Sequence, residues 1–175
     1  PFLELFKMSL LISESGSEPI TTAEAKAWAK IENSDEDSLV SSLITSCRRE
    51  VESYTKQVLN NQTWQTVYPN DKAKTLFYSP RITVSAVAVD VDGTELTETT
   101  DYVLNKQLGR VKLLTQYSAD EVITIEWDIV PTLSAQAALK QATLDLITYR
   151  FYNRGASDMP LLVQKVLNQY RVFCV

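Results

Sequence analysis

Helical spacing of apolar residues appears first, in a short segment that follows Thr21 and a long one that follows Ser34. Both residues are predicted N-caps, because an acidic residue stands three positions later, Glu24 in the first segment and Asp37 in the second. The apolar positions of the long segment are Val40, Leu43, Ile44, Cys47, Val51, Tyr54 and Val58. Their 3.6-residue period predicts a long helix that buries one side.

From about residue 62 to residue 130 the period changes to two, which predicts short antiparallel strands. The clearest alternation places Ile123, Ile125, Trp127 and Ile129 between Thr124, Glu126 and Asp128. We expect the four apolar residues to face inward. Between two of the other strands, Asp92-Gly93 is the dipeptide that a type I′ hairpin turn prefers.

Two further helices are predicted after Pro131. The third helix begins at the N-cap Ser134 and ends near Gly155, and the fourth begins near Pro160. The third helix is apolar on more than one side, so it lies in the core or is shared with a neighbouring subunit; the core interpretation is favoured. In the fourth helix, the residues expected to hold it to the other helices are Leu162, Val163, Val166 and Leu167.

These elements predict an α+β fold with a four-helix, mainly antiparallel helical core. An antiparallel β unit, at about residues 62–130, is inserted between helices 2 and 3. Residues 1–18 are assigned to an N-terminal extension, of which residues 1–7 precede Met8 and are read as a tag or upstream residues. Residues 19–175 are assigned to a single domain. No apolar run approaches the roughly 20 residues that span a bilayer, so we expect no membrane association.

The composition excludes several classes of chemistry. The chain has no histidine, which rules out Ser-His-Asp catalysis and histidine-bound metals. Its four glycines are too scattered to form a phosphate-binding loop. Cys47 and Cys174 lack metal-ligand spacing and are interpreted as buried free thiols. We therefore expect no enzyme activity, no catalytic residue, no cofactor and no metal.

Two acidic clusters need a separate interpretation. Asp35 and Glu36 stand with Asp37 at a helix start, where the helix dipole favours anions. Asp90, Asp92 and Glu95 surround the predicted hairpin turn and lack the ligand spacing of a calcium loop. The structural interpretation is favoured over Mg²⁺ or Ca²⁺ binding for both clusters. A metal-dependent nuclease would have these clusters as its sole support.

Three stretches, in their order and spacing, resemble a known family. They are "ITTAEAKAWAKIENSDEDSLVSSLITSCRREVESYTKQVL" with the following "QTW", "VDVDGTELTETTDYVL" with "GRVKLL", and "QAALKQATLDLITYRFYNRG" with "PLLVQKVLNQYR". The chain resembles the head-tail connector, or adaptor, proteins of tailed bacteriophages and prophages, which are often labelled DNA packaging proteins. The resemblance covers roughly residues 19 to 172.

This resemblance implies a structural protein of the virion neck, assembled in the host bacterial cytoplasm. It implies a ring of copies, a dodecamer on the virion and a monomer when isolated, bound beneath the portal protein. The ring extends the DNA channel without binding DNA specifically, and links the capsid to a neck or tail completion protein. The net charge of −5 fits a channel that does not grip DNA.

The C-terminal segment carries the candidate partner interface. Residues 131–175 contain five bases and two acids, a net charge of +3. The candidate interface residues are Tyr149, Arg150, Arg154, Tyr170, Arg171 and Phe173. For Tyr170 and Phe173, docking on the portal or an adjacent subunit and continuation of the helical core are equal alternatives. The basic charge of the segment also motivates an alternative function, a DNA-binding accessory factor of packaging.

Overall fold

The computed structural model describes residues 8–68, 76–81, 83–118 and 121–172. Within these ranges, the side chains of Met8, Leu133 and Ser134 are not described. The helices are α1 (Thr22–Ala29), α2 (Asp37–Thr55), α3 (Leu133–Tyr152) and α4 (Leu161–Asn168). The strands are β1 (Met8–Ser15), β2 (Asn61–Tyr68), β3 (Leu76–Tyr78), β4 (Val84–Val91), β5 (Thr94–Glu95), β6 (Tyr102–Asn105), β7 (Arg110–Leu113) and β8 (Ile123–Ile129).

The described residues divide into two compact units. The described residues of the β unit fall within 8–15 and 61–130, and those of the helical unit within 16–60 and 131–172. A five-stranded antiparallel sheet in the β unit has the order β1-β2-β8-β4-β5, and a three-stranded antiparallel sheet has the order β3-β7-β6.

The expectation of a mainly helical, four-helix core is therefore wrong: four helices and eight strands are formed by the described residues alone. The buried cluster of the helical unit includes none of the buried residues of the strands. Strand residues such as Phe77, Val111 and Trp127 are nevertheless almost fully buried. A strand with one apolar side needs a second layer to cover it, and a second sheet can supply that layer as well as a helix can.

The strongest strand predictions are confirmed. Ile123, Ile125, Trp127 and Ile129 are all buried, and each is at most 5% exposed. Their neighbours Glu126 and Asp128 are exposed. Strand β8 pairs with β2 on one side and with β4 on the other. The residues of β2 and β4 that lie opposite these four project from the same face of the sheet.

The hairpin turn between β4 and β5 is also as predicted. Asp92 has a φ of 51° and Gly93 a φ of 84°, the positive values that a type I′ turn requires at both central positions. The Asp90 carboxylate accepts a hydrogen bond from the Gly93 amide at 2.9 Å. The Asp92 carboxylate accepts one from the Val122 amide at 2.9 Å, which ties the turn to the chain before β8.

The first strand was not predicted. Met8–Ser15 forms β1, which pairs with β2 along its whole length and includes a bulge between Leu11 and Ser13. Only Leu10, Leu11 and Ile12 are consecutive apolar residues here, and a run of three has no period of its own. The pairing with β2, about 50 residues further along the chain, decides the structure of this segment.

Helix starts were predicted with mixed success. At α1 the capping box is confirmed: the Glu24 amide donates to Thr21 Oγ1 at 3.1 Å, and the Thr21 amide donates to Glu24 Oε2 at 2.9 Å. The prediction of Ser34 as N-cap is wrong, because α2 begins at Asp37 with Glu36 as its N-cap. Asn33 instead accepts a hydrogen bond from the Asp35 amide, a local turn that competes with earlier helix formation.

At α3 the helix begins at Leu133 with Thr132 as N-cap, so the prediction of Ser134 in that position is wrong. Gly155 does adopt a positive φ, 91°, just beyond the end of this helix. A glycine at this position releases the chain from the helix without steric cost.

Candidate partner interface

The arginine nearest the end of α3 is bound within its own unit. One Arg150 nitrogen, Nη2, donates to both carboxylate oxygens of Glu50 at 3.0 and 2.9 Å, and to the Ser157 carbonyl at 2.9 Å. The other, Nη1, donates to the Ala156 carbonyl at 2.5 Å. Arg150 therefore joins the loop after α3 to the middle of α2, and these contacts occupy most of its guanidinium.

The second arginine of this region, Arg154, is more accessible. Its guanidinium forms an ion pair with Glu36 and lies 5.7 Å from the centre of the Phe151 ring, and its side chain is 64% exposed. An ion pair this exposed contributes little to stability. Arg154 can therefore exchange Glu36 for a partner's carboxylate at little cost.

Aromatic residues at the end of α3 differ in exposure. Tyr149 is half-buried and Phe151 is buried, whereas Tyr152 is 61% exposed. The Tyr152 hydroxyl donates to the Ala29 carbonyl at 2.7 Å, which fixes the ring at the end of α1. A fixed, exposed aromatic ring is a feature that protein interfaces favour.

The chain after α4 is held by several contacts as far as Val172. Tyr170 packs against the buried cluster of the helical unit, and its carbonyl accepts from Gln57 Nε2 at 2.5 Å. The Val172 amide donates to the Thr55 carbonyl at 3.0 Å. Arg171 lies 5.0 Å from the centre of the Tyr54 ring. Phe173, the last of the candidate interface residues, lies outside the described residues.

The fourth helix buries less of its apolar surface than predicted. Val163 and Leu167 are buried, as expected. Leu162 is 77% exposed and Val166 40% exposed, so the prediction that they hold α4 to the other helices is wrong. Leu161 is 73% exposed as well. A helix of eight residues can bury only one side, and here two adjacent leucines at its start lie outside that side.

A buried ionic network in the helical unit was not predicted at all. Arg48, 1% exposed, donates from Nε to Glu18 at 2.7 Å and from Nη1 to Glu52 at 3.0 Å. The second oxygen of Glu52 accepts from the Leu59 amide at 2.7 Å. Glu18 also accepts from the Thr45 hydroxyl at 2.8 Å. The i,i+4 spacing of Arg48 and Glu52, next to the apolar positions of α2, is the sequence signal that could have indicated this ion pair.

The acidic clusters have structural partners. Asp37 pairs with Lys26 at 2.5 Å, and Glu36 pairs with Arg154. Asp90 and Asp92 accept the hydrogen bonds of the hairpin turn. Within the described ranges, no group of three His, Cys, Asp or Glu side chains is placed to hold a metal ion.

The basic residues of the C-terminal segment are also largely paired. Lys140 lies 2.8 Å from Glu24, and Arg150 and Arg154 pair with Glu50 and Glu36. These acids come from the first half of the chain and offset the local positive charge. This region is therefore a poor match for the phosphate backbone of DNA, which needs an excess of unpaired cations.

The fold shifts the pKa values of several groups, and Glu24 and Cys47 are the two that bear on function. The Lys140 ammonium, together with the Thr21 amide, lowers the pKa of Glu24 to about 2. Burial raises the pKa of the Cys47 thiol to about 11, which keeps it protonated and unreactive. Cys174 lies outside the described residues. No helix in the described part of the chain is long and apolar enough to cross a membrane.

Comparison with solved structures defines the class of fold. The chain matches a subunit from the virion of a native gene transfer agent particle with a TM-score of 0.74 at 18% identity, over 96% of this chain and 97% of that chain. A subunit of the neck of an empty particle, computed with C6 symmetry, gives 0.71 at 19% identity over 96% and 97%. One from the neck of a native particle, computed with C12 symmetry, gives 0.61 at 17% identity over 95% and 97%.

The family follows from a separate comparison. The model of the head completion protein family matches residues 18–157, and the chain belongs to this family. The resemblance to head-tail connector proteins is thereby confirmed, and the chain has the structural role of a head-tail connector. Nothing in these findings supports the alternative of a DNA-binding accessory factor. No curated protein matches the chain significantly.

Proposed function

We propose that the chain assembles as a dodecameric ring beneath the portal, extends the DNA channel and links the capsid to a neck or tail completion protein. The observation that carries this proposal is the structural match over 96% of the chain to a subunit of a particle neck computed with C6 symmetry. A second match, to a neck computed with C12 symmetry, supports twelve copies. The site of action is the virion neck, and assembly takes place in the host bacterial cytoplasm.

The surface of the five-stranded sheet supports a channel that DNA passes without specific binding. Glu126 and Asp128 of β8 are exposed, and Asp90 and Glu95 lie beside Glu126 around one shallow groove. Among the described residues of that groove there is no base. Carboxylates repel DNA phosphates, so a channel lined by them makes no lasting contact with the duplex.

We place the partner interface at the C-terminal end of the helical unit. Arg154 and Arg171 present charge there, Tyr149 and Tyr170 present partly buried rings, and Phe173 lies just beyond the described chain. Arg150 belongs to the same region but acts mainly by holding the loop after α3 in place. Arginine and aromatic side chains are the usual anchors of protein interfaces.

Electron microscopy of the purified chain mixed with its portal protein tests the ring directly. We expect twelve copies added beneath each portal ring, and no rings on portal-free grids. A folded chain that leaves the portal unchanged at micromolar concentrations would contradict the proposal. Tight DNA binding with a steep salt dependence would instead favour the accessory factor.

A truncated chain that ends at Val172 tests the interface. It keeps the contacts of Arg171 with Tyr54 and of Val172 with Thr55. We expect a melting temperature close to that of the full chain, together with loss of portal binding. Ser41→Ala, an exposed change on α2 of the same unit, is the matched control and should bind normally. Normal portal binding by the truncated chain would show that residues 173–175 are not needed for the interface.

A further inference from the structure

Strand β1 is an edge strand without the usual protection. It pairs with β2 on one side, and no described strand lies beside its other side. Natural edge strands are usually short, or they carry lysine or proline residues that prevent pairing with another strand. Strand β1 has eight residues, no proline, lysine or arginine, and a single charged residue, Glu14.

The exposed residues of β1 are apolar at its centre. Leu10 is 57% exposed and Ile12 is 48% exposed. The bulge between Leu11 and Ser13 leaves Ile12 without a partner in β2, and both apolar side chains remain exposed. A long apolar edge is a site for pairing with another strand.

The sequence of β1 is matched to itself in antiparallel orientation. About a two-fold axis through Leu11, Leu10 lies opposite Ile12, and Ser9 lies opposite Ser13. Met8 then lies opposite Glu14, so no like charges face each other. At the centre of the strand, Leu10 and Ile12 face each other and Ser9 faces Ser13 in this register, which makes a second copy of the chain the best-matched occupant.

The opposite edge of the same sheet is β5, which has only two residues. Beside β4, the Leu96 amide donates to the Val89 carbonyl at 2.8 Å, and the Tyr102 hydroxyl donates to the Val87 carbonyl at 3.1 Å. These contacts cover the outer side of β4 beyond β5, and an edge strand of two residues offers little for a further strand to pair with. Pairing through β1 therefore ends at two copies and does not propagate into a fibre.

We propose that the free chain forms a two-fold dimer in which β1 pairs antiparallel with β1 of a second copy, centred on Leu11. The dimer covers the exposed edge before assembly and joins the five-stranded sheets of two copies into one. It is a state of the unassembled protein, distinct from the ring, and it replaces the monomer that the family resemblance implies.

A charge-swap experiment tests the contact between the two β1 strands. The double variants Leu10→Lys/Ile12→Lys and Leu10→Glu/Ile12→Glu each place like charges opposite one another across the axis. Light scattering during size-exclusion chromatography should give twice the chain mass for the unchanged protein and one chain mass for each variant alone. An equimolar mixture of the two variants should return to twice the chain mass. In the mixture, the lysine introduced at position 10 of one copy faces the glutamate introduced at position 12 of the other, so opposite charges replace like charges across the axis.

Leu108→Lys is the matched control, since Leu108 is equally exposed in the same unit but lies on the turn before β7. It should leave the dimer intact. A monomer at all concentrations up to about 100 µM, well above the dissociation constants of specific dimers, overturns the proposal. A dimer that survives the charged pairs, or that Leu108→Lys also dissociates, overturns it as well.

Hydrogen exchange of the unchanged protein provides a test that needs no variant. The amides of residues 9–13 should exchange at least several-fold more slowly at high protein concentration than at low concentration. Amides of β6, an edge strand of the other sheet, should not change. Exchange rates in β1 that are independent of concentration contradict the dimer, even if the charged variants fail to fold.

Discussion

Removal of the Glu52 carboxylate should strongly destabilise the helical unit. Glu52 is 3% exposed and uses both oxygens, one for Arg48 and one for the Leu59 amide. In Glu52→Ala the Arg48 guanidinium stays buried, with Glu18 as a remaining carboxylate partner. Glu18 is about one-third exposed, so it offsets only part of the buried charge.

The expected loss can be worked from these contacts. Removing one partner of a buried ion pair costs about 3–5 kcal/mol because it leaves an uncompensated buried charge. An amide left without an acceptor costs about 1–3 kcal/mol. The two effects overlap, since both follow from the same deletion, and Glu18 reduces the first. We therefore expect Glu52→Ala to lower the free energy of unfolding by about 3–5 kcal/mol at pH 7.

Urea titration followed by circular dichroism at 222 nm measures this loss, because all four described helices lie in the helical unit. Glu52→Gln keeps an acceptor for the Leu59 amide and removes only the charge, so it should cost less than Glu52→Ala. Arg48→Met/Glu52→Leu replaces the ion pair by apolar side chains and should cost less than the two single changes together. A Glu52→Ala loss below about 1 kcal/mol, or additive single changes, would refute the reasoning.

Four further predictions concern single sites. Trp127→Ala, at the buried centre of β8, should cost the β unit about 3–5 kcal/mol in chemical denaturation, whereas the exposed change Glu126→Ala should stay within about 0.5 kcal/mol. Gly93→Val should lower the free energy of unfolding by about 1–2 kcal/mol, because the φ of 84° is unfavourable for a β-branched residue. Crowding does not contribute, since no atom lies within 4 Å of the added Cβ. Gly93→Asn should cost less, because asparagine tolerates this φ. The Glu24 carboxyl should titrate near pH 2 when followed by NMR. Its contribution to stability is therefore present above its ordinary pKa of 4.5 and is lost as the pH falls from 4.5 toward 2. Lys140→Met should raise the pKa of Glu24. In a Cys174→Ser background, Cys47 should react with a thiol reagent at pH 8 much more slowly in the native protein than in guanidinium, and equal rates would contradict its burial.

The structural features that were predicted correctly are each determined by residues that are close together in the sequence. The alternation around Trp127 and the Asp92-Gly93 dipeptide each specify a local backbone state that tertiary contacts then keep. The capping box of Thr21 and Glu24 is local in the same way. Such signals are read without knowledge of the rest of the fold, and this is why they survive in the structure.

The features that were missed depend on partners far along the chain. Strand β1 exists because β2 pairs with it, and no period within Met8–Ser15 announces it. The two-sheet β unit was interpreted as an insert in a helical core because alternation marks each strand but does not reveal which layer covers its apolar side. Arg48 is buried because Glu18 and Glu52 meet it from different segments, whereas a lone arginine in a helix is read as exposed.

In helix α4, the spacing of apolar residues does not predict which of them are buried. Its residues Leu161, Leu162 and Val163 are consecutive and apolar, so they cover well over half the circumference of a helix. A single layer of neighbours can bury only part of this arc, and the helical unit buries Val163 while Leu162 remains 77% exposed. Exposed leucines lose the free energy that burial would supply, about 2 kcal/mol each. Exposed apolar patches are typical of surfaces that another protein covers, so we expect this side of α4 to be less exposed in an assembled particle than in the isolated chain.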